Sequence, residues 1–414
     1  MKKAGYMIKK DDVINRFIEY TKVYTTSDAN SQSAPSTKRQ FDLLNILNDE
    51  LIAMGISSEV SEFGVLYAKI PSNMEKLVTP IGFLAHVDTA PDFNGKNVNA
   101  QLIEVYDGND IKLNEEYILS PKDFPSLKDY VGKTLIHTDG TSLLGSDDKA
   151  GVTIIMEMAK YITSNPDIKH GDICIGFTPD EEIGRGTVNF DVKKFGAEFA
   201  YTIDGGKLGE LSFENFNAYS LDICIKGRNV HPGTAKDQMV NASSIAILFD
   251  NMLDPKARPQ YTDGYEGFMH LTNLDANIEV ANMSYIIRDH SSEKIQKYKE
   301  LIDKSIKKLE NEFPIAVIEY EITKQYLNMA DIVSQRPEIV DIAKEAMKKA
   351  NVKPLVEPIR GGTDGSNLSF IGLPCPNIFT GGHNFHGRFE YVCVDSMLKA
   401  VDVIVNIINV VSNK

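Results

Sequence analysis

The sequence predicts an α/β protein: a mixed, largely parallel sheet flanked by helices, with a smaller α+β domain of ferredoxin-like order inserted into it. Three observations predict it. Apolar runs readable as strands alternate with helical patterns between residues 64 and 203, the way parallel sheets are built. Between residues 218 and 323 the order becomes β-α-β-β-α-β, the split-βαβ pattern of a small separate sandwich. From about Pro337 the helix-then-strand pattern resumes and runs to the end. The boundaries that follow are 1–214 and 328–414 for the larger domain and 215–327 for the inserted one. A chain of 414 residues is also longer than one hydrophobic core ordinarily serves.

Taken in order, residues 9–22 and 37–54 carry apolar side chains at helical spacing. Between them, Thr25–Ser33 reads as an exposed polar loop. Strand-like runs follow at Gly64–Ile70 and Ile81–Val87. Residues 90–140 or so are rich in Asp, Asn, Gly and Pro and too long for an ordinary connection; loops of that length tend to be functional. Ala150–Ile162 predicts a helix, and Asp172–Phe177 and Phe199–Ile203 predict strands. In the inserted domain Ala218–Lys226 alternates as a strand and Val240–Leu253 is helical. Gly267–Leu274 and Ile278–Arg288 are strand candidates, Ser292–Leu309 is an amphipathic helix, and Ile315–Thr323 alternates again.

Composition narrows the class. Hydrophobic content of 42% and charged content of 25% are those of an ordinary soluble globular protein. A net charge of -14 speaks against nucleic acid, since no basic excess is present to neutralise phosphates. Cys174, Cys224, Cys375 and Cys393 are widely separated, and three lie in apolar runs, which suggests buried reduced thiols. No signal peptide is visible, and no stretch approaches the ~20 apolar residues of a membrane span. The expectation is a cytoplasmic protein that meets neither membrane nor nucleic acid.

The chemistry-bearing residues sit where strands end. The run Asp172–Thr178 breaks at Pro179 and presents Asp180, Glu181 and Glu182 together. Ending a buried strand in adjacent carboxylates is costly unless something binds or uses them. A divalent metal can hold one glutamate while its neighbour keeps a free carboxylate for proton transfer. A solvated acidic loop is the plain alternative. His86 and Asp88 lie two apart at the end of a strand, so they share a face and Asp88 can orient the ring; a core histidine beside an acid is the other reading. Asp147 and Asp148 open a helix, where they either cap it or place an acid that bridges two metals. Asp204 precedes two glycines, and a late segment offers His383 and His386. Oxygen-rich ligands with only two imidazoles suit a two-metal site, typically zinc. The carboxyl ends of parallel strands are where open α/β sheets place their sites.

His86-Val87-Asp88, Gly145–Gly151, Thr178–Gly184, Thr202–Gly206 and His386–Glu390 together resemble the motif series of the di-zinc amidohydrolases that include aminoacylase and glutamate carboxypeptidase. Asn229–Lys236, Tyr285–Asp289 and Pro358–Gly365 are similar to motifs of that family's tripeptide aminopeptidase branch. The likeness runs essentially end to end. It implies that Asp147 bridges two divalent ions, with His86 and Asp204 on one and Glu182 and His386 on the other. Zinc is the implied metal, with cobalt and manganese as alternatives. Glu181 is implied as general base toward a metal-activated bridging water, and Asp88 as the group that orients His86. His231 is implied to stabilise the oxyanion across a homodimer interface formed by the inserted lid and dimerisation domain. Arg288 and Arg360, with Asn241 at the same end, are implied to hold the C-terminal carboxylate of a tripeptide. For Arg288 a salt bridge to a neighbouring acid is the alternative. His383 is extra to the family pattern, and the spacing to Glu390 selects His386 as the ligand. The first few residues precede the family's usual start and are expected to be a disordered extension. The implied reaction is removal of the N-terminal residue from tripeptides. A dipeptidase, an N-acyl amino acid deacylase and a non-catalytic binding protein remain alternatives.

Overall fold

The computed structural model describes residues 7–414, so the expected N-terminal extension lies outside the described part. The chain divides into two compact units. One comprises the chain up to Phe213 with Met329–Glu357 and Thr363–Lys414, and the other Glu214–Asn328 with Pro358–Gly362. Sequence pattern places the boundaries within one residue of the first two cuts but leaves the five residues 358–362 in the larger domain. They join the smaller unit through local bonds: Ile359 pairs with Asn215 as a parallel bridge, and His290 Nε2 lies 3.3 Å from the Ile359 carbonyl. Five residues are too few to show any hydrophobic period.

In the larger unit an eight-stranded sheet runs in the spatial order Ser57–Val60, Leu66–Ile70, Ile173–Thr178, Ile81–His86, Phe199–Gly205, Asn377–Phe379, Glu210–Ser212, Leu355–Val356. The four strands from Ile173–Thr178 to Asn377–Phe379 are parallel, and antiparallel neighbours flank them. Ile81–His86 and Ile173–Thr178 are buried at every position, which is why they read as continuous apolar runs and not as alternation. The helices Lys10–Lys22, Ser146–Ser164, Pro337–Lys349 and Val394–Ser412 pack on one another, with Ser146–Ser164 lying against Ile81–His86.

Two expectations need correction. Thr25, Thr26 and Ser27 are buried. Thr26 Oγ1 lies 2.9 Å from Thr89 Oγ1, and the Ser27 amide donates to the Thr89 carbonyl, so their polarity serves an internal strand end and not solvent. The stretch from residue 90 to 140 is also not simply irregular. Its strands Gln101–Ile103 and Leu135–His137 form an antiparallel sheet with Tyr391–Cys393 and Gly382–His383 from the far end of the chain. Tyr106, Leu119, Leu127, Tyr130 and Tyr391 fill a separate small core beneath it.

The smaller unit is a four-stranded antiparallel sheet in the order Phe268–Ala276, Val280–Asp289, Asn217–Lys226, Val317–Tyr326. Along Asn217–Lys226, Leu221, Ile223 and Ile225 point inward while Asp222 is exposed, the period of two expected of a sheet covered on one face. Helices Ala242–Met252 and Ser292–Glu312 cover that face with Ile245, Phe249, Ile295, Ile302 and Ile306.

Candidate metal centre

The larger unit gathers its acids and histidines where the central strands end. His86 is the last residue of its strand, Asp204 is the sixth of seven in Phe199–Gly205, and Glu181 and Glu182 open a turn of 3₁₀ helix two residues beyond Ile173–Thr178. Asp147 stands at the head of Ser146–Ser164, in non-helical backbone. It lies between the two histidines: Oδ1 is 2.9 Å from His86 Nε2, and Oδ2 is 3.3 Å from His386 Nε2. Asp204 Oδ1 is 3.5 Å from the same His86 nitrogen, and Glu182 Oε2 is 3.0 Å from His386 Nε2. The arrangement is two histidines joined by one carboxylate, each with one further acid.

Several side chains hold this geometry. The His86 Nδ1–H faces the backbone carbonyl of Asp88 at 3.0 Å, nearer than the Asp88 carboxylate at 3.4 Å. The Asp88 carboxylate instead accepts from the amides of Glu181 and Glu182. Asp88 thus orients His86 chiefly through its backbone and the glutamate pair through its side chain. Asp148 is the member of the acid pair that caps: its Oδ1 accepts from the Gly151 amide at 3.0 Å. A Cβ on Gly151 would run into that carboxylate and the Ile203 carbonyl, so glycine is required by close approach. With His86 and Asp204, Asp148 also forms a group whose ligand atoms all lie within 4.8 Å of one another.

Two further acids support the site, and sequence reasoning gave neither a role. Glu390 is fully buried and accepts from the amides of Leu144, Gly145, Ser146 and Asp147 and from the Ser146 hydroxyl. It therefore holds the loop that carries Asp147. Asp180 accepts from the Ser36 amide and hydroxyl and from Gln40 Nε2, which tethers the backbone just before Glu181. The only sequence signal for Glu390 is its spacing from His386; Asp180, Ser36 and Gln40 give none, because their meeting is long-range.

The electrostatics ask for a cation. With Nδ1 donating, His86 Nε2 turns its lone pair on two carboxylate oxygens, which requires a proton or a metal ion between them. Burial pushes Glu182 up to about 8, with the Asp147 charge adding to it, and pushes Asp204 up to about 6. Burial also lifts Glu181 well above the usual carboxylate range, helped by the charges of Asp204, Asp364 and Glu182. Glu182 Oε1 is buried without any hydrogen-bond partner. Among the described residues, the Glu181 carboxylate has no side-chain partner either. An orphaned carboxylate oxygen beside imidazoles and acids is the donor set a divalent ion takes.

The remaining predicted residues lie elsewhere. His383 does not join the cluster: its Nε2 is hydrogen-bonded to the Tyr130 hydroxyl at 2.6 Å, and burial holds the ring down to about 4. His231, Asn241, Arg288 and Arg360 belong to the smaller unit. His231 is exposed, with Nδ1 accepting from the Gly233 amide, and Asn241 caps helix Ala242–Met252 by accepting from Ser244. Arg360 donates through Nη1 to the carbonyls of Gly264 and Glu266 and through Nη2 to the carbonyl and hydroxyl of Thr262. Arg288 uses only Nη1, toward Tyr219 and Ile287 carbonyls, and stacks on Tyr326. It makes no salt bridge among the described residues.

A two-unit α/β chain with histidines and acids gathered around one carboxylate at the strand ends defines a metal-dependent hydrolase. The chain belongs to peptidase family M20/M25/M40, whose model matches residues 140–410. It is 53% identical over 401 residues to Peptidase T of Bacillus subtilis, covering 96% of this chain and 98% of the relative. It is 51% identical to Peptidase T of Alkaliphilus oremlandii, covering 97% and 99%. Its fold is similar to that of aminopeptidase PepT from Bacillus cereus, with a TM-score of 0.78 at 20% identity over 99% of this chain and 100% of that one. A dinuclear metal-binding M20 peptidase of Bacillus subtilis shares the fold with a TM-score of 0.66 at 12% identity, over 98% of each chain.

Proposed function

We propose that this chain is an aminopeptidase that removes the N-terminal residue from tripeptides, and that two divalent ions, zinc first, sit between His86, Asp204, Asp147, Glu182 and His386. The observation that carries it is the division of labour between two adjacent glutamates. Glu182 is turned to His386 with one oxygen orphaned, while the neighbouring Glu181, half-buried, keeps its carboxylate free of any ion pair among the described residues. When bound, the ions supply Lewis-acid polarisation of the scissile carbonyl and lower the pKa of water. Glu181 takes a proton from the attacking water at its carboxylate as the new C–O bond forms, and then passes it to the departing amine as the peptide C–N bond breaks. Asp88 keeps Glu181 and Glu182 in register through their amides.

His231 is proposed to stabilise the oxyanion in a homodimer, and Arg288 and Arg360, with Asn241 nearby, to hold the C-terminal carboxylate. Arg288 is the better prepared of the two arginines. The terminal N–H groups of Arg360 are already committed to Thr262–Glu266, so a forked contact there requires that segment to release them. Relatives half identical over nearly the whole chain and named Peptidase T support the tripeptide assignment. A cytoplasmic setting fits four free cysteines, three of them buried. No helix among the described residues is long and apolar enough to cross a membrane.

The test is cleavage of alanine di-, tri-, tetra- and N-acetylated tripeptide, with zinc and after chelation, read by mass spectrometry. Loss of one residue from the free tripeptide alone, abolished by chelator and by Glu181→Ala, is expected. Cleavage of the acetylated or two-residue substrate instead would overturn the specificity.

A further inference from the structure

We infer that the segment 90–142 is a brace for the loop that carries His386, and that the Tyr130–His383 hydrogen bond is the contact that positions His386 in the metal centre. The inference rests on His386 being a metal ligand, as proposed above.

The loop needs a brace. Asn384 and His386 both have left-handed backbone, with φ of 55° and 64°. Such backbone is strained and persists only where the surroundings over-determine it. Within the loop, Asn384 Nδ2 donates to the Phe389 carbonyl at 3.0 Å, which closes the turn but fixes nothing outside it. The His386 side chain remains 42% exposed, so little packing is available to hold the ring itself.

Apart from Asp147 and Glu182 at the ring itself, segment 90–142 supplies contacts at both ends of the loop. The Tyr130 hydroxyl and His383 Nε2 share a hydrogen bond of 2.6 Å, and the His383 ring stacks on Tyr391 with centroids 4.9 Å apart. Tyr391 in turn meets Ser126 Oγ at 2.8 Å. Arg388 is sandwiched between the rings of Phe93 and Tyr117, at 4.8 and 3.9 Å, and Phe389 packs on Phe124. Each end of the turn is thus clamped by the same segment, three residues before His386 and two or more after it. Only one of these contacts is a short, directional hydrogen bond reaching the strand that leads into the turn. Removing its hydroxyl leaves the aromatic packing intact but takes away the directional restraint on the His383 ring, and with it part of what holds the strained backbone leading to His386.

This makes Tyr130 and His383 positioning residues, and their test is metal affinity. The proteins compared are the wild type, Tyr130→Phe, His383→Phe and His383→Gln, each stripped of metal and titrated with Zn²⁺ against a chromophoric chelator. Tyr130→Phe and His383→Phe are expected to bind the weaker zinc about tenfold less tightly, the scale of loss typical for outer-shell partners of a ligand. Their kcat should fall with KM unchanged. His383→Gln, whose amide oxygen can still accept from Tyr130, should stay within about threefold of wild type. A role in folding alone would lower thermal stability in all three variants and leave zinc affinity of the folded protein unmoved. Zinc affinity within twofold of wild type in both phenylalanine variants would overturn the inference, as would equal losses in His383→Gln and His383→Phe. His386→Ala serves as reference. If it keeps both metals, the ligand assignment has failed; if it loses one while Tyr130→Phe loses nothing, only the brace has failed.

Discussion

Glu390→Gln is the smallest change with the largest expected effect on the framework of the site. The Glu390 oxygens accept from five donors: Oε2 from the amides of Leu144 and Gly145, and Oε1 from the amides of Ser146 and Asp147 and the Ser146 hydroxyl. Burial pushes this carboxyl up and the Ser146 hydroxyl pulls it back; because every contacting group is a donor, only the ionised form fits. An amide keeps one acceptor oxygen and replaces the other with two N–H groups. Whichever way it turns, two buried backbone amides face a donor. Each unpaired amide costs about 1–3 kcal/mol, so the substitution should destabilise the larger unit by roughly 2–6 kcal/mol. For a unit of this size that is a fall in Tm on the order of 5–15 °C. Since the same amides carry Asp147, metal affinity should fall with stability. Calorimetry of the metal-free and zinc-loaded proteins measures both. A Glu390→Gln protein melting within about 2 °C of wild type, with unchanged zinc affinity, would refute the reasoning.

Three other outcomes are expected. Gly151→Ala places a methyl against the Ile203 carbonyl and the Asp148 carboxylate and should cost about 3 kcal/mol or prevent folding, which soluble yield and thermal melting report. His383, held down to about 4 by burial, refuses a proton that the unfolded chain accepts near pH 6.5. Its contribution is therefore present above pH 6.5 and lost as pH falls toward 4, about 3 kcal/mol in all, and chelated wild type should lose that much more than chelated His383→Gln over the window. Arg360→Lys keeps the charge but cannot make all four contacts to Thr262–Glu266, and hydrogen exchange across residues 262–266 should quicken several-fold. Unchanged exchange would show that the lysine substitutes fully.

The parts legible in the sequence were those with a period or a motif. Ile81–His86 and Ile173–Thr178 announced themselves because burial on both faces makes a strand uniformly apolar. Leu221, Ile223 and Ile225 announced theirs by alternating. Two-residue strands such as Gly382–His383 and Leu355–Val356 have no room for either signal. At the site, the acids and histidines stood out by residue type, but the contacts that place them did not. Asp88 was expected to meet the His86 ring from its position two residues on, whereas its carboxylate faces two amides more than ninety residues away. Ser36 and Asp180 are separated by 144 residues, and Tyr130 and His383 by 253. Pattern within a window cannot carry such pairs. Polarity misled at Thr26 and Ser27 for a related reason: hydroxyl groups that look suited to water find their partners on Thr89, while the buried Thr25 hydroxyl has none among the described residues.

The smaller unit is not a single passage of chain. Residues 214–328 supply its sheet and helices, and Pro358–Gly362 returns to complete it after the chain has already rejoined the larger unit. The polypeptide therefore passes from one unit to the other four times and not twice. A fragment cut at residues 214 and 328 would leave behind Ile359, which bridges to Asn215, and Arg360, which gathers Thr262, Gly264 and Glu266. As a module the unit is stitched, so swapping it between relatives requires carrying a remote pentapeptide along with the insert, and that pentapeptide sits immediately before Thr363 and Asp364 of the other unit. Recombination in a single crossover pair would separate what folds together, which ties the inheritance of the two units to each other.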